Sequence, residues 1–492
     1  MKKILCVLMS MLLMIGVAVV PASAESAFES VYGDLMPLAE DSPPLVIVRG
    51  MLIDGLTVFA GTENERNALG DIKVGDIVKT LLSAGASWVF KGREAGVSVI
   101  CDYFHDIFKY FGCDESGNSL YDVSVPLYPL SLDHYPDSSL ARGGGQEEGL
   151  AHAAMDLLGG DKVYFLNYDW RRSQLDVADD VNALVEQALR DHPEFSKVTL
   201  ISASMGGAVT MSYLYKYGYE KLNRCIFLSS TFTGTYVAGD CLSGRISFSG
   251  ETLCNYISFQ LPKFAKLFKA VKKLGVFDLA ANIANRFVEK NKAQVYEELL
   301  MDTFATMPSL WGVTQADRYE ECKQYIFCGK TEQYKDLIAI ADELQKAMSA
   351  GPALLKEMED NGVGICVVAS YDSVLVPVYE RAASNGDNTL ETAPMLGGAT
   401  VADYGKTLGD SYRPEDPELL SPDRVVDLYG VLFPNNTWAI RGAPHVACLY
   451  GSDYSYFVMW LITSEETKDV YSDPRFPRFL LSGADQSIAP MK

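Results

Sequence analysis

The chain is poor in what several function classes require. Of its 492 residues only five are histidine, and none of its ten cysteines is spaced Cys-x-x-Cys or joined to a histidine at a zinc-ligand spacing, so no metal site is expected. Positive charge is scarce: 42 Lys and Arg stand against 64 Asp and Glu, a net charge of −22. That balance argues against nucleic acid as a partner and against general electrostatic anchoring on anionic lipid. After the first 24 residues no stretch approaches the ~18–20 uninterrupted apolar residues that cross a bilayer. Internal repeats and low-complexity tracts are missing as well. With 48% hydrophobic and 22% charged residues, the composition is that of a globular chain rather than a disordered one.

The one long apolar run stands at the start. MKKILCVLMSMLLMIGVAVVPASAES carries Lys2 and Lys3, an apolar stretch from Ile4 to Val20, and Ala22-Ser23-Ala24 as a small-x-small cleavage signal. Residues 1–24 therefore read as a secretory signal peptide cleaved after Ala24, and the mature chain is expected to be secreted or extracytoplasmic. Export permits disulfides, and the local pairs Cys101 with Cys113, Cys241 with Cys254, and Cys322 with Cys328 are candidates. Beyond the signal the cysteines number nine, so at least one has no partner within the chain. The remaining length exceeds the ~250–300 residues that one core comfortably fills. A core carrying a large insertion is expected.

The order of elements supports that view. LVIVRG at 45–50, KVYFLNYDW at 162–170, KVTLISAS at 197–204, RCIFLSS at 224–230 and GICVVASYD at 364–372 are apolar runs of strand length. Between the second and third, Val177, Val181, Leu184, Val185, Ala188 and Leu189 have the spacing of an amphipathic helix that stops before Pro193. Strands apolar on both faces and alternating with helices predict an α/β fold, a mostly parallel, doubly wound sheet covered on each side. Residues 231–360 break the alternation with Phe-, Leu- and Lys-rich helical patterns such as FQLPKFAKLFKAVKKLGVFDLAANIANRFVEK. The expected division is 25–230 and 361–492 as the core, with 231–360 as a helical cap.

At the end of the third strand the chain reads Ser202-Ala203-Ser204-Met205-Gly206-Gly207 before a helical pattern. This is a G-x-S-x-G nucleophile elbow with Ser202 in the first glycine's place; its small residues let strand and helix approach while the turn lifts Ser204 clear of the sheet. A serine needs a base, which in this architecture follows it, and His445 is the only histidine after Ser204. It lies in TWAIRGAPHVACL, a loop after a last strand pattern. The acid that would orient it is Asp372, at the end of GICVVASYD, or Asp387, in SNGDNTLETAP. An oxyanion hole would take the N–H of Met205, after the nucleophile, and one from RGML beside the first strand, which points to Met51 because Gly50 lets the backbone turn.

These stretches together resemble the lecithin:cholesterol acyltransferase group of α/β-hydrolases, with its lysosomal phospholipase A2 and plant phospholipid:diacylglycerol acyltransferase relatives. PPLVIVRGMLIDGL resembles the group's opening strand and oxyanion loop, with Arg49 where proline is usual, a place where its side chain would meet a substrate phosphate or solvent. FGCDESGNSLYDVSVPLYP is similar to the segment before its second sheet strand, and VYFLNYDWRRS to its Y-D-W-R strand end, where Asp169, Trp170 and Arg171 read as a structural, ion-paired corner. In that group the acid lies in a G-D-G-T-V-like stretch, which Asn385-Gly386-Asp387-Asn388-Thr389-Leu390-Glu391 resembles. The resemblance thus implies Asp387 as the acid, with Asp372 as the alternative, and an α/β-hydrolase fold. It spans roughly residues 43–230 and 361–450 and leaves 231–360 unmatched.

The expected activity is that of an exported serine hydrolase of the lipase, phospholipase or esterase type. It would cleave acyl groups from lipid esters, or transfer them as an O-acyltransferase, through an acyl-enzyme, with no metal or organic cofactor. Phe- and Lys-bearing cap helices suit a lipid or other acyl-ester substrate and transient contact with a membrane surface. No obligate protein partner is implied. The alternatives are an inactive exported binding protein on a hydrolase scaffold, or an esterase for small or carbohydrate esters. Substrate-binding residues are not legible.

Overall fold

A computed structural model describes residues 31–492 apart from 52–54, 71–73, 143–145, 447 and 464–467. The expected signal peptide lies outside the described residues. Eight strands form the main sheet: β1 Leu45–Val48, β2 Val163–Leu166, β3 Val198–Ala203, β4 Leu222–Leu228, β5 Gly364–Tyr371, β6 Thr437–Arg441, β7 Phe479–Ser482 and β8 Ile488–Pro490. Their order is β2-β1-β3-β4-β5-β6-β7-β8, with every neighbouring pair parallel except β7 and β8.

Alternation along each strand explains why the central runs are apolar throughout. Val46 and Val48 of β1, Leu200 of β3 and Phe227 of β4 face one core, while Leu45, Ile47, Ile201 and Ile226 face the other. Helices cover both faces. In chain order the helices are α1 Val74–Lys91, α2 Arg93–Phe108, α3 Gln146–Leu158, α4 Gln174–Asp191 and α5 Gly206–Tyr217. Ser173 caps α4 by accepting the Leu175 N–H at 3.3 Å, and the helix ends two residues before Pro193. Val177, Val181 and Val185 of α4 and Ala208, Val209 and Met211 of α5 fill the first face; Leu150 and Ala154 of α3 fill the second. The chain has an α/β fold, a mostly parallel sheet covered by helices on both faces.

Between β4 and β5 come α6 Tyr236–Leu242, α7 Gly250–Gln260, α8 Ala265–Lys273, α9 Val276–Val295, a π-helical stretch Tyr296–Ala305, α10 Ala316–Ile326 and α11 Lys335–Asp360. Two sets of contacts tie residues 231–360 to the rest of the chain. α11 starts in a cluster with Trp311, through Leu337 and Ala341, but its Met348, Leu355 and Met358 join the core over the sheet. α2, inserted between β1 and β2, packs on α9 and the π-helical stretch: Ser98 donates to Glu298 at 3.1 Å and accepts from Gln294 at 2.9 Å. The last described helix, α12 Asp453–Ile462, is buried from Tyr454 to Ile462 against the second face.

Candidate active site

The corner between β3 and α5 is held tightly. Ser204 has φ +51°, the left-handed region that side chains rarely adopt. Its N–H donates to the Leu228 carbonyl at 3.2 Å, and its carbonyl accepts from Gly207 N at 3.1 Å, Thr231 N at 2.9 Å and Thr231 Oγ1 at 3.2 Å. A Cβ at Gly207 would lie 1.8 Å from Ser230 Oγ, and one at Gly50 would lie 2.5 Å from Ser204 Cβ, so glycine is required where these segments touch. Ser202 is fully buried in β3 opposite Val48 and Phe227, which shows how a serine fits the first position of the elbow.

His445 Nε2 lies 2.9 Å from Ser204 Oγ, and His445 Nδ1 lies 2.6 Å from Asp387 Oδ2. The histidine comes from the loop after β6, pinned by buried Ala443 and Val446 on either side, the latter at φ +46°. Asp387 is fully buried, and its other oxygen accepts the N–H groups of Thr389 at 3.0 Å and Leu390 at 2.8 Å. With Oδ1 occupied by the backbone, Oδ2 is the oxygen left to orient the imidazole. Asp372 lies elsewhere: its Oδ2 accepts from Arg441 Nε at 2.7 Å, and its N–H donates to Asn385 Oδ1 at 2.6 Å. Of the two candidate acids, the structure brings only Asp387 to His445.

No family model matches the chain, and no curated protein matches it. Among solved structures it is similar to "The crystal structure of Tle4-Tli4 complex", with 12% identity and a TM-score of 0.34 over 86% of this chain and 99% of that one. A likeness that distant carries no inference about activity.

The two residues expected to form the oxyanion hole flank the serine. Met205 is buried at the start of α5, with its N–H donating to no described acceptor, and Met51 follows the glycine that packs on Ser204. Arg49 departs from expectation. It does not reach solvent: it is buried, its Nη1 donates to Asn167 Oδ1 at 2.6 Å and its Nε to the Gly50 carbonyl at 3.2 Å. Tyr168 OH donates to the Arg49 carbonyl at 3.0 Å. Arg49 is thus a brace for the loop beside the serine. The Asp169-Trp170-Arg171 corner is also internal. Arg171 grips Asp169 through Nε at 2.9 Å and Nη2 at 2.6 Å, and donates to the Tyr110 carbonyl at 2.9 Å and Ser119 Oγ at 2.9 Å.

A group that sequence reasoning missed stands four residues after Asp387. Glu391 is buried, accepts Thr235 Oγ1 at 2.7 Å and Tyr236 N at 3.2 Å on one oxygen, and accepts Tyr379 OH at 2.6 Å on the other. Burial raises its pKa above the ordinary 4.5 despite these donors, and burial beside the carboxyl pushes the Tyr379 phenol up as well. The signal was present, an acidic residue just before the Thr-Ala-Pro start of a short helix, but only tertiary structure supplies its partners. Among the described residues no group of three or more His, Cys, Asp or Glu could hold a metal ion.

Proposed function

We propose that this chain is an exported serine hydrolase acting on acyl esters of lipids. The observation that carries the reading is the unbroken relay Asp387 Oδ2, His445, Ser204 Oγ, at 2.6 and 2.9 Å, ending on a serine held at φ +51°. His445 Nε2 takes the Ser204 proton as Oγ attacks the ester carbonyl, and Asp387 holds the imidazole in the Nδ1–H tautomer and balances its charge. The N–H groups of Met205 and Met51 receive the oxyanion, where one preorganised donor is worth about 10²–10³ in rate. His445 then protonates the leaving alcohol, and water, or a second alcohol in the transferase variant, releases the acyl group by the same steps in reverse.

An inactive binding protein on this scaffold would lack selection for the strained serine and for an acid with its second oxygen so placed; retention of the whole constellation favours catalysis. Lipid esters are favoured over small ones by the apolar side chains exposed on the cap, among them Phe264, Leu267 and Leu279. The test is labelling with a fluorophosphonate probe in the presence of detergent. The wild type is expected to label, and the Ser204→Ala and His445→Ala proteins are not. A folded wild type that stays unlabelled overturns the hydrolase reading in favour of the binding protein.

A further inference from the structure

Helix α8 buries none of its side chains. Its neighbourhood reads LPKFAKLFKAVKKLGV over 261–276, with Phe264, Leu267, Phe268, Val271 and Leu274 at helical spacing along one face. A stripe of this kind ordinarily packs on a core. Here Phe264 is 53% exposed, Leu267 57% and Leu274 80%, and Phe259, Leu261, Val276 and Leu279 extend the apolar surface onto the adjoining ends of α7 and α9. Contiguous exposure on that scale marks a surface that meets something apolar.

The charge of the same stretch runs against that of the molecule. Residues 261–276 hold five lysines and no acidic residue, in a chain of net charge −22. Of the five, only Lys272 forms an ion pair among the described residues, with Glu251 at 3.4 Å. Lys263, Lys266, Lys269 and Lys273 form no ion pair among the described residues, and Lys266, Lys269 and Lys273 lie opposite the apolar stripe. A helix with aromatic and aliphatic residues on one side and lysines on the other is built to lie in the headgroup plane of a bilayer, apolar side chains in the acyl boundary and ammonium groups among lipid phosphates.

We propose that α8 and its flanks, residues 259–279, dock the protein on an anionic phospholipid surface. The remainder of the acidic chain is repelled by such a surface, so contact is confined to this face and the orientation of the molecule is set by it. Each lysine near the surface contributes roughly a fivefold gain in partitioning. The apolar residues stand on a convex helix rather than lining a groove, which fits a bilayer better than an extended or helical peptide. The proposal rests on the acyl-lipid reading for its purpose, but its test does not use hydrolysis.

The experiment is co-sedimentation of the full chain bearing Ser204→Ala with vesicles of phosphatidylcholine alone or mixed with phosphatidylglycerol, at low and high salt. Binding is expected on the mixed vesicles and is expected to fall as salt rises. The pairs Phe264→Ser/Leu267→Ser and Lys266→Glu/Lys269→Glu should each weaken binding at least about tenfold. Circular dichroism and melting temperature should stay unchanged, because all four side chains are exposed. Any contribution of the apolar N-terminus is common to every variant and cancels in the comparison. Equal binding to both vesicle types, affinity untouched by either pair, or a dimer that Phe264→Ser/Leu267→Ser dissolves would overturn the proposal. A protein that binds vesicles yet resists the fluorophosphonate probe would leave it standing and refute only the hydrolase reading.

Discussion

Holding Ser204 at φ +51° costs an L-residue about 1–3 kcal/mol, and the three hydrogen bonds to its carbonyl show where that cost is offset. The strain serves to present Oγ to His445. At the same scale the two acids can be told apart by what their second contacts leave free. Asp387 spends one oxygen on two backbone N–H groups and the other on His445, whereas Asp372 spends its side chain on Arg441 at the half-exposed end of β6. Asp387→Asn keeps the shape of the site but favours the wrong imidazole tautomer, and is expected to lower kcat on a soluble ester about 10⁴-fold. Asp372→Asn removes only a surface ion pair, worth about 1 kcal/mol or less of stability, and should leave kcat within a few-fold of wild type. Steady-state kinetics on the two variants decides between them. If Asp372→Asn is the crippled one, the acid has been misassigned.

Elements meet at Glu391, which ties the loop carrying Asp387 to the start of α6. Its carboxyl accepts from Thr235 and Tyr236 at the start of α6 and from Tyr379, so one buried side chain joins three segments. Glu391→Ala strands three donors in the interior and is expected to cost about 3 kcal/mol or more. Glu391→Gln is isosteric and can turn its amide N–H₂ toward the Tyr379 oxygen while its carbonyl serves Thr235 and Tyr236. Because burial raises the folded-state pKa above the ordinary 4.5, the wild type is most stable with this group protonated and loses that stability as pH rises through the folded value. The melting temperature of Glu391→Gln relative to wild type should therefore climb as pH rises above about 4.5. A difference that stays flat from acid to neutral pH would refute this. The same elements show what a sequence discloses. Five sheet strands were legible because both faces are buried, so their runs are apolar without interruption; β3 and the helix behind it placed Ser204, and the order of residues placed His445. The strands β7 and β8 at the far end of the sheet are only four and three residues long, too short to stand out. Neither the packing of α2 on residues 294–298 nor the contact of Arg49 with Asn167 has any local signature, since both depend on partners more than 100 residues away.

Across the whole molecule, the nine cysteines of the described residues bear on how the chain is stabilised. All nine are free thiols, so the three local pairings suggested by spacing are not formed; stability rests on the two cores flanking the sheet. Seven of the nine are buried and Cys328 alone is exposed. Desolvation pushes Cys101, Cys113 and Cys322 up to about 12 and Cys366 to about 11, and raises Cys225 and Cys448 further. At pH 8 a thiol of pKa 12 is ionised about once in 10⁴ molecules, and since the thiolate is the nucleophile these groups are chemically silent while the fold is intact. Burial pushes Cys241 up to about 12 as well, so titration of the native protein with a thiol-reactive disulfide reagent at pH 8 is expected to show one fast-reacting group, absent from Cys328→Ser. Unfolding in denaturant without reductant should release all the others together, and a reductant should leave the melting temperature unchanged. A total that falls short by an even number after unfolding would mean that disulfides form on export. The fold would then owe part of its stability to covalent closure of short loops, at roughly 2–4 kcal/mol for each bridge, rather than to packing alone.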